Sequence, residues 1–228
     1  MKKTYEYENI QIGNFLVSVG YYLRDGNYSH PVAFNLNQQT PNDPTLGDLF
    51  GSFSGSSFLI EFKSHERNLK KELEKPARKR LIKYLNNPKL SELRKTSIRS
   101  HFLCYPTTTG ENMNFNLKPY LKMNYEKGHL KSIKNFIEQT IDKGTVGATY
   151  KEIKEYTKLL EECVKEGGVR DSSGASSGIL MNFDKEEGIK YILYDGFDDL
   201  NLKLAQSFDL NQSKKIEQKR NRGMSHGM

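Results

Sequence analysis

The sequence predicts an α/β domain, and three observations carry that reading. Apolar residues recur at helical spacing near the N-terminus, several short runs alternate at strand spacing, and a long basic helical segment separates two of those runs. Taken in order from Asn9, the elements are helix, three strands, helix and strand, then a helical pair and a β-hairpin.

The first helix spans Asn9 to Arg24. Ile12, Phe15, Leu16, Val19, Tyr22 and Leu23 line one face, Asn9 is a candidate N-cap, and Asp25-Gly26 is a stop. Its aromatic and β-branched content leaves a hairpin turning at Asp25-Gly26 as the competing reading. Glu6 and Glu8 read as the solvated start of the helix. Pro31 to Leu36 alternates well enough for a short strand, and the polar stretch 37–45, with Pro41, Asn42, Asp43 and Pro44, is a loop that delivers the chain to Asp48.

The chemistry is expected in the next stretch, Gly47 to Ser64. Phe58, Ile60 and Phe62 fall on one face of a strand, and Leu59, Glu61 and Lys63 on the other. Asp48 opens the preceding short run, and Gly51, Ser52, Ser54, Gly55 and Ser56 supply the turn residues of a hairpin that brings Asp48 beside Glu61. Two carboxylates, with the backbone carbonyl of Phe62 as a third oxygen, suit a hard divalent cation such as Mg²⁺. Lys63 would face the metal-bound water or a scissile phosphate. An open cleft at these three groups is part of the expectation.

Asp48, twelve intervening residues, then Glu61-Phe62-Lys63 is similar to the D-x(n)-(D/E)-x-K signature of the PD-(D/E)XK nuclease superfamily, which includes many restriction endonucleases. The resemblance covers about the first 106 residues. It implies a restriction-endonuclease-like mixed sheet with an α-β-β-β-α-β core, Mg²⁺ or Mn²⁺ held by Asp48, Glu61 and the Phe62 carbonyl, and catalysis by Asp48, Glu61 and Lys63. It also implies a nucleic-acid partner, DNA before RNA, a homodimer or a partner protein, and a setting in antiviral defence or mobile elements. Gly47 stands where the family usually has Pro. The alternative is a non-catalytic module that binds nucleic acid or protein on the same scaffold, and the blandest reading makes Glu61 and Lys63 a surface salt bridge.

After Lys63, a helical segment capped at Ser64 runs to about Leu85, with Leu69, Leu73, Ala77, Leu81, Tyr84 and Leu85 inward and a kink or restart at Pro76. Its outward side is basic: Lys70, Lys71, Lys75, Arg78, Lys79, Arg80 and Lys83, of which the first five are the candidate nucleic-acid contacts. His65 reads as a surface histidine. Ser97 to Pro106 is the fourth strand, ended by proline. Residues 107–125 read as loop, pinned by Phe115, Leu117, Tyr120 and Leu121. Helices follow over 128–142 and from Thr149, whose capping box with Glu152 starts a segment that stops at Gly167-Gly168. The run 171–178 is a connector, 179–183 and 189–194 a hairpin, and Asp195, Asp198 and Asp199 lead into a helix over 200–208. The domain plan is a single unit over 1–210, with its core at 9–106, a helical insertion at about 128–167 and a C-terminal hairpin and helix at 179–208, followed by a basic, disordered tail at 211–228.

Composition bounds the function. A net charge of +7 over 228 residues favours a polyanionic partner. Two cysteines support neither a disulfide framework nor a zinc pattern. Without an apolar run near the ~18 residues a membrane span needs, and without a signal-peptide pattern, the expected location is the cytoplasm.

Overall fold

The computed structural model describes residues 7–26, 28, 32–37, 47–53, 55–122, 130–166, 178–184, 188–195, 199, 200, 202, 203 and 206. The chain is a mixed α/β protein. Strands β1 (Val32–Leu36), β2 (Leu49–Phe53), β3 (Ser56–Phe62), β4 (His101–Thr109) and β5 (Asn112–Pro119) make a mixed sheet. A hairpin, β6 (Gly178–Asp184) and β7 (Gly188–Tyr194), adds to its β1 side to give the order β5-β4-β3-β2-β1-β6-β7. Among the described residues only β3 and β4 run parallel, and the connection between them carries helices α2 (Leu69–Glu74), α3 (Pro76–Leu85) and α4 (Ser91–Ser100).

Helix α1 (Glu8–Asp25) and the short α5 (Ile133–Ile137) cover one face of the sheet, while α2, α3 and α6 (Tyr150–Lys165) cover the other. The alternation in β3 produces this two-sided core. Phe58, Ile60 and Phe62 pack with Ile12, Phe15, Val19 and Phe136, whereas Leu59 packs with Leu69, Leu81, Ile153 and Tyr156. Phe58, Phe53 and Phe102 each present an edge or face to Phe136 at 4.9–6.1 Å, an arrangement aromatic rings favour. Among the described residues no helix is long and apolar enough to cross a membrane, and Cys104 and Cys163 are buried free thiols.

Several expectations need correction. The hairpin turn is tighter than its small residues suggested: Phe53 pairs with Ser56, so Gly51, Ser52 and Ser56 are strand residues, and Gly55 lies outside the strands at φ +87. Gly51 belongs in β2 because a Cβ there would run into the Phe58 ring. Ser97 to Ser100 end α4 rather than begin a strand. Their small hydroxyls turn inward, Ser100 to the Thr96 carbonyl and Ser97 to the Tyr156 hydroxyl, so no apolar stripe announces the helix. Strand β4 also continues through Pro106, past the last β3 pair at Cys104, where β5 is its partner and a missing N–H is tolerated. The stretch expected as loop before Tyr120 is β5, with Phe115, Leu117 and Tyr120 buried as expected.

Pro76 starts α3 at its first turn, and α2 is preceded by a 3-10 turn, Glu66–Asn68, with His65 rather than Ser64 at its cap. Helix α1 begins one residue early, without a side-chain cap, and Tyr22 on its apolar stripe stays exposed. The helix expected over 128–142 is α5 followed by a π turn, Glu138–Asp142; its expected start lies outside the described residues. So do Glu6, 38–46, 167–177, Asp198, the end of the helix over 200–208 and the tail 211–228.

The capping box at α6 is present: the Thr149 hydroxyl accepts from Glu152 N, and the Glu152 carboxylate accepts from Thr149 N. Burial works to raise the Glu152 carboxyl, but hydrogen bonds from Thr149 and the Arg99 guanidinium hold it below its ordinary value. Its stabilising share is therefore present above its unfolded pKa and lost as pH falls through the lowered folded one. Thr149→Ala is expected to cost about 1 kcal/mol at neutral pH, read as a fall in Tm, and less near pH 3.

Candidate active site

The register of β2 and β3 brings the acidic pair together. Leu49 pairs with Ile60, so Asp48, one position before, lies across from Glu61 on the face that carries Phe50 and Leu59. The Asp48 Oδ2 accepts from Phe62 N at 2.6 Å, and its own carbonyl accepts from Asn37 N at 2.8 Å. Gly47 reaches this point at φ +67, and a Cβ there would sit 3.4 Å from Glu61 Oε2. Proline, locked near φ −65°, cannot adopt that backbone.

Lys63 stays with the pair. Its ammonium donates to Glu61 Oε1 at 2.7 Å and to the Phe62 carbonyl at 2.8 Å, so these two oxygens converge on one cation. Three further groups complete a network that the sequence reading missed. Lys75 Nζ donates to Glu61 Oε1 at 2.9 Å and lies 2.9 Å from Glu72 Oε2, while the Tyr120 hydroxyl donates to Glu72 Oε1 at 2.7 Å. Lys63 Nζ lies 3.4 Å from the same Glu72 carboxylate. A signal for Glu72 was available: it follows Leu69 by three positions on α2 and therefore shares its inward face.

The electrostatics follow from burial. Asp48, Glu61 and Glu72 are all buried, and Lys75, with half of its side chain exposed, is the outermost member. The open cleft expected from sequence is therefore not what is found; all three carboxylates are buried, and Lys75 lies against Glu61 and Glu72. Burial alone would raise the Glu61 carboxyl, but Lys63 and Lys75, by charge and hydrogen bond, hold it below its ordinary value. Burial works to lower both ammoniums, and Glu61 with Glu72 more than reverses that, so both lysines remain cationic. His101, stacked 4.1 Å from Tyr120 and in hydrogen-bond contact with the Tyr156 hydroxyl, is pushed down to about 3 by burial. It is neutral at physiological pH and serves packing.

The basic face divides. Lys70, Lys71, Lys79 and Lys83 are exposed, with Lys79 paired to Glu74. Arg78 is not outward: it is buried and donates to the Tyr120 carbonyl at 3.1 Å, because positions 78, 81 and 85 share the inward stripe of α3. Lys75 belongs to the carboxylate network, and Arg80 donates to the Cys163 carbonyl. Glu8, expected as a solvated helix start, accepts from Ser64 N at 3.1 Å and so touches the residue that follows Lys63. His65 is half-buried.

Among the described residues no group of three or more His, Cys, Asp or Glu side chains could hold a metal ion. Asp48, Glu61 and the Phe62 carbonyl nevertheless form an oxygen-only donor set of the kind Mg²⁺ uses, which keeps several waters and takes one or two carboxylates. Searches of protein-family models, curated proteins and solved structures found no match to this chain.

Proposed function

We propose that the chain is a Mg²⁺-dependent nuclease with a restriction-endonuclease-like core. The observation that carries this reading is the convergence of Glu61 Oε1 and the Phe62 carbonyl on the Lys63 ammonium, with the Asp48 carboxylate accepting from the N–H of the same Phe62. Asp48, Glu61 and the Phe62 carbonyl would hold the ion. When bound, it supplies a water of lowered pKa and offsets charge on the phosphate. Lys63 is held as an ammonium, so it orients the water and neutralises charge developing on the phosphodiester rather than taking a proton. Lys70, Lys71 and Lys79 on the exposed side of α2 and α3 follow the phosphate backbone of nucleic acid, DNA before RNA. Lys75 donates to Glu61 Oε1, an oxygen that the ion would need. A cytoplasmic role in defence against foreign nucleic acid fits such an activity.

The competing reading, a non-catalytic binding module, is favoured by the burial of Asp48 and Glu61. Incubating the purified chain with labelled single- and double-stranded DNA and RNA, in Mg²⁺ or Mn²⁺ against EDTA, separates the two. Metal-dependent products that vanish with Asp48→Ala are expected. Intact substrate throughout, with nucleic acid still bound, establishes the module instead.

A further inference from the structure

Strand β4 outruns its neighbour at the end of the sheet that carries the carboxylates. Its last pair with β3 is Cys104 opposite Phe62, beside Lys63, yet it continues with β5 as far as Thr109, which pairs with Asn112. From Tyr105 to Thr109 the two strands project as a ribbon about 17 Å long, at the usual rise per strand residue. The ribbon turns at Gly110, whose φ is +62.

Its two faces differ. Phe115 is buried and Met113 packs against the core beneath α1, which anchors one side. On the other, Asn112, Asn114 and Asn116 alternate along β5, across from Thr109, Thr107 and Tyr105. This is the face that carries Glu61, because Glu61 pairs with Leu103, and Tyr105 and Thr107 follow Leu103 at strand spacing. Lys118, next in the same row, donates to Glu66 at 3.0 Å, and Asn116 donates to Thr107 Oγ1 at 2.7 Å. Thr109, Asn112 and Asn114, farther out, are exposed. Charged residues make up 28% of the sequence, but Glu111 is the only one from Tyr105 to Leu117. A surface shaped for the phosphate backbone would carry lysine and arginine, as α2 and α3 do. Uncharged amides and hydroxyls instead match base edges, which offer donors and acceptors without net charge.

We propose that the β4–β5 ribbon enters the major groove of duplex DNA beside the carboxylate site, where Asn112 and Asn114 read adenines and Thr109 packs on a thymine methyl group. The inference rests on the nucleic-acid substrate proposed above and adds the residues that choose the sequence. The B-form major groove, about 12 Å wide, admits a two-stranded ribbon, whereas that of an RNA duplex is too deep and narrow for side chains to read. An asparagine amide accepts from adenine N6 and donates to N7 at once. Asn112 and Asn114 stand two strand residues apart, about 6.7 Å, which matches two base-pair steps of about 3.4 Å each. Glu111 at the turn disfavours phosphate and suits the exocyclic amine of cytosine.

Selection of randomised duplex DNA by the full-length chain in Ca²⁺ is expected to enrich two adenines two steps apart. Asn112→Ala and Asn114→Ala are each expected to lower the preference at one position about tenfold with the salt dependence unchanged, whereas Lys70→Ala weakens every sequence alike. With the wild-type chain, 7-deazaadenine at the selected positions removes the major-groove acceptor and is expected to reproduce the loss, whatever the folding of the variants. Binding without sequence preference, a preference that survives the double substitution, or binding confined to RNA, to single strands or to no nucleic acid overturns the proposal. Metal-dependent cleavage that persists under any of those outcomes leaves the nuclease reading standing. A duplex that is read through Asn112 and Asn114 but never cut in Mg²⁺ or Mn²⁺ removes the nuclease reading and upholds the ribbon.

Discussion

Glu61→Gln is expected to lower metal-dependent cleavage by about 10²–10³-fold or more, the scale on which a single well-placed electrostatic group acts. The amide keeps the size of the carboxylate and one acceptor oxygen, so the loss reports charge rather than shape. Its second effect is on stability. Glu61 Oε1 is the shared acceptor of Lys63 and Lys75, and the substitution leaves two ammoniums dependent on Glu72. Breaking a buried pair costs ~3–5 kcal/mol, and the half-exposed Lys75, free to return to water, puts this variant at the low end. Calorimetry with Ca²⁺ or Mn²⁺ distinguishes the two consequences: a folded Glu61→Gln protein that binds the ion as tightly as wild type removes Glu61 from the metal site.

The contrast between what could be read from sequence and what could not is physical. The faces of β3 and α1 were legible because burial there is apolar and periodic: period two in Phe58, Ile60 and Phe62, and a 3-4 spacing in Ile12, Phe15 and Val19. The capping box at Thr149 was legible because it is a local exchange of hydrogen bonds. Helix α4 was hidden because it buries hydroxyls, Thr96, Ser97 and Ser100, whose partners Tyr156 and the backbone lie elsewhere in the chain or within the helix itself.

The site shows the same division. Asp48, Glu61 and Lys63 are brought together as expected, through a hairpin whose turn was drawn too wide. Glu72, Lys75 and Tyr120 were missed because each contact spans a different element. Lys75 stood among seven basic residues of one segment, and nothing local separates the one that turns toward a carboxylate from those that face water. Arg78 was misplaced by the same uniformity, although its spacing to Leu81 and Leu85 puts it on the buried stripe.

Lys75 supplies the second large effect, and it is expected to run against intuition: removing this basic residue should strengthen cation binding. It sits at the break between α2 and α3, directly before Pro76, with an extended ψ of 125° and half of its side chain exposed. Its ammonium takes an oxygen, Glu61 Oε1, that a divalent ion would need. Lys75→Met keeps an unbranched chain of similar reach and removes that competitor, so the affinity for Ca²⁺ or Mn²⁺ is expected to rise about tenfold, equivalent to ~1.4 kcal/mol. If Lys75 served only as one of the basic residues along α2 and α3, the same variant would weaken nucleic-acid binding and leave the ion's affinity unchanged. If the network were solely a structural ion-pair cluster, it would lower thermal stability and neither protein would bind the ion. One substitution, read by metal titration, nucleic-acid titration and unfolding, therefore assigns Lys75 to one of three roles, because removing one of the two ammoniums on Glu61, losing a phosphate contact and weakening the ion-pair network each move a different measurement.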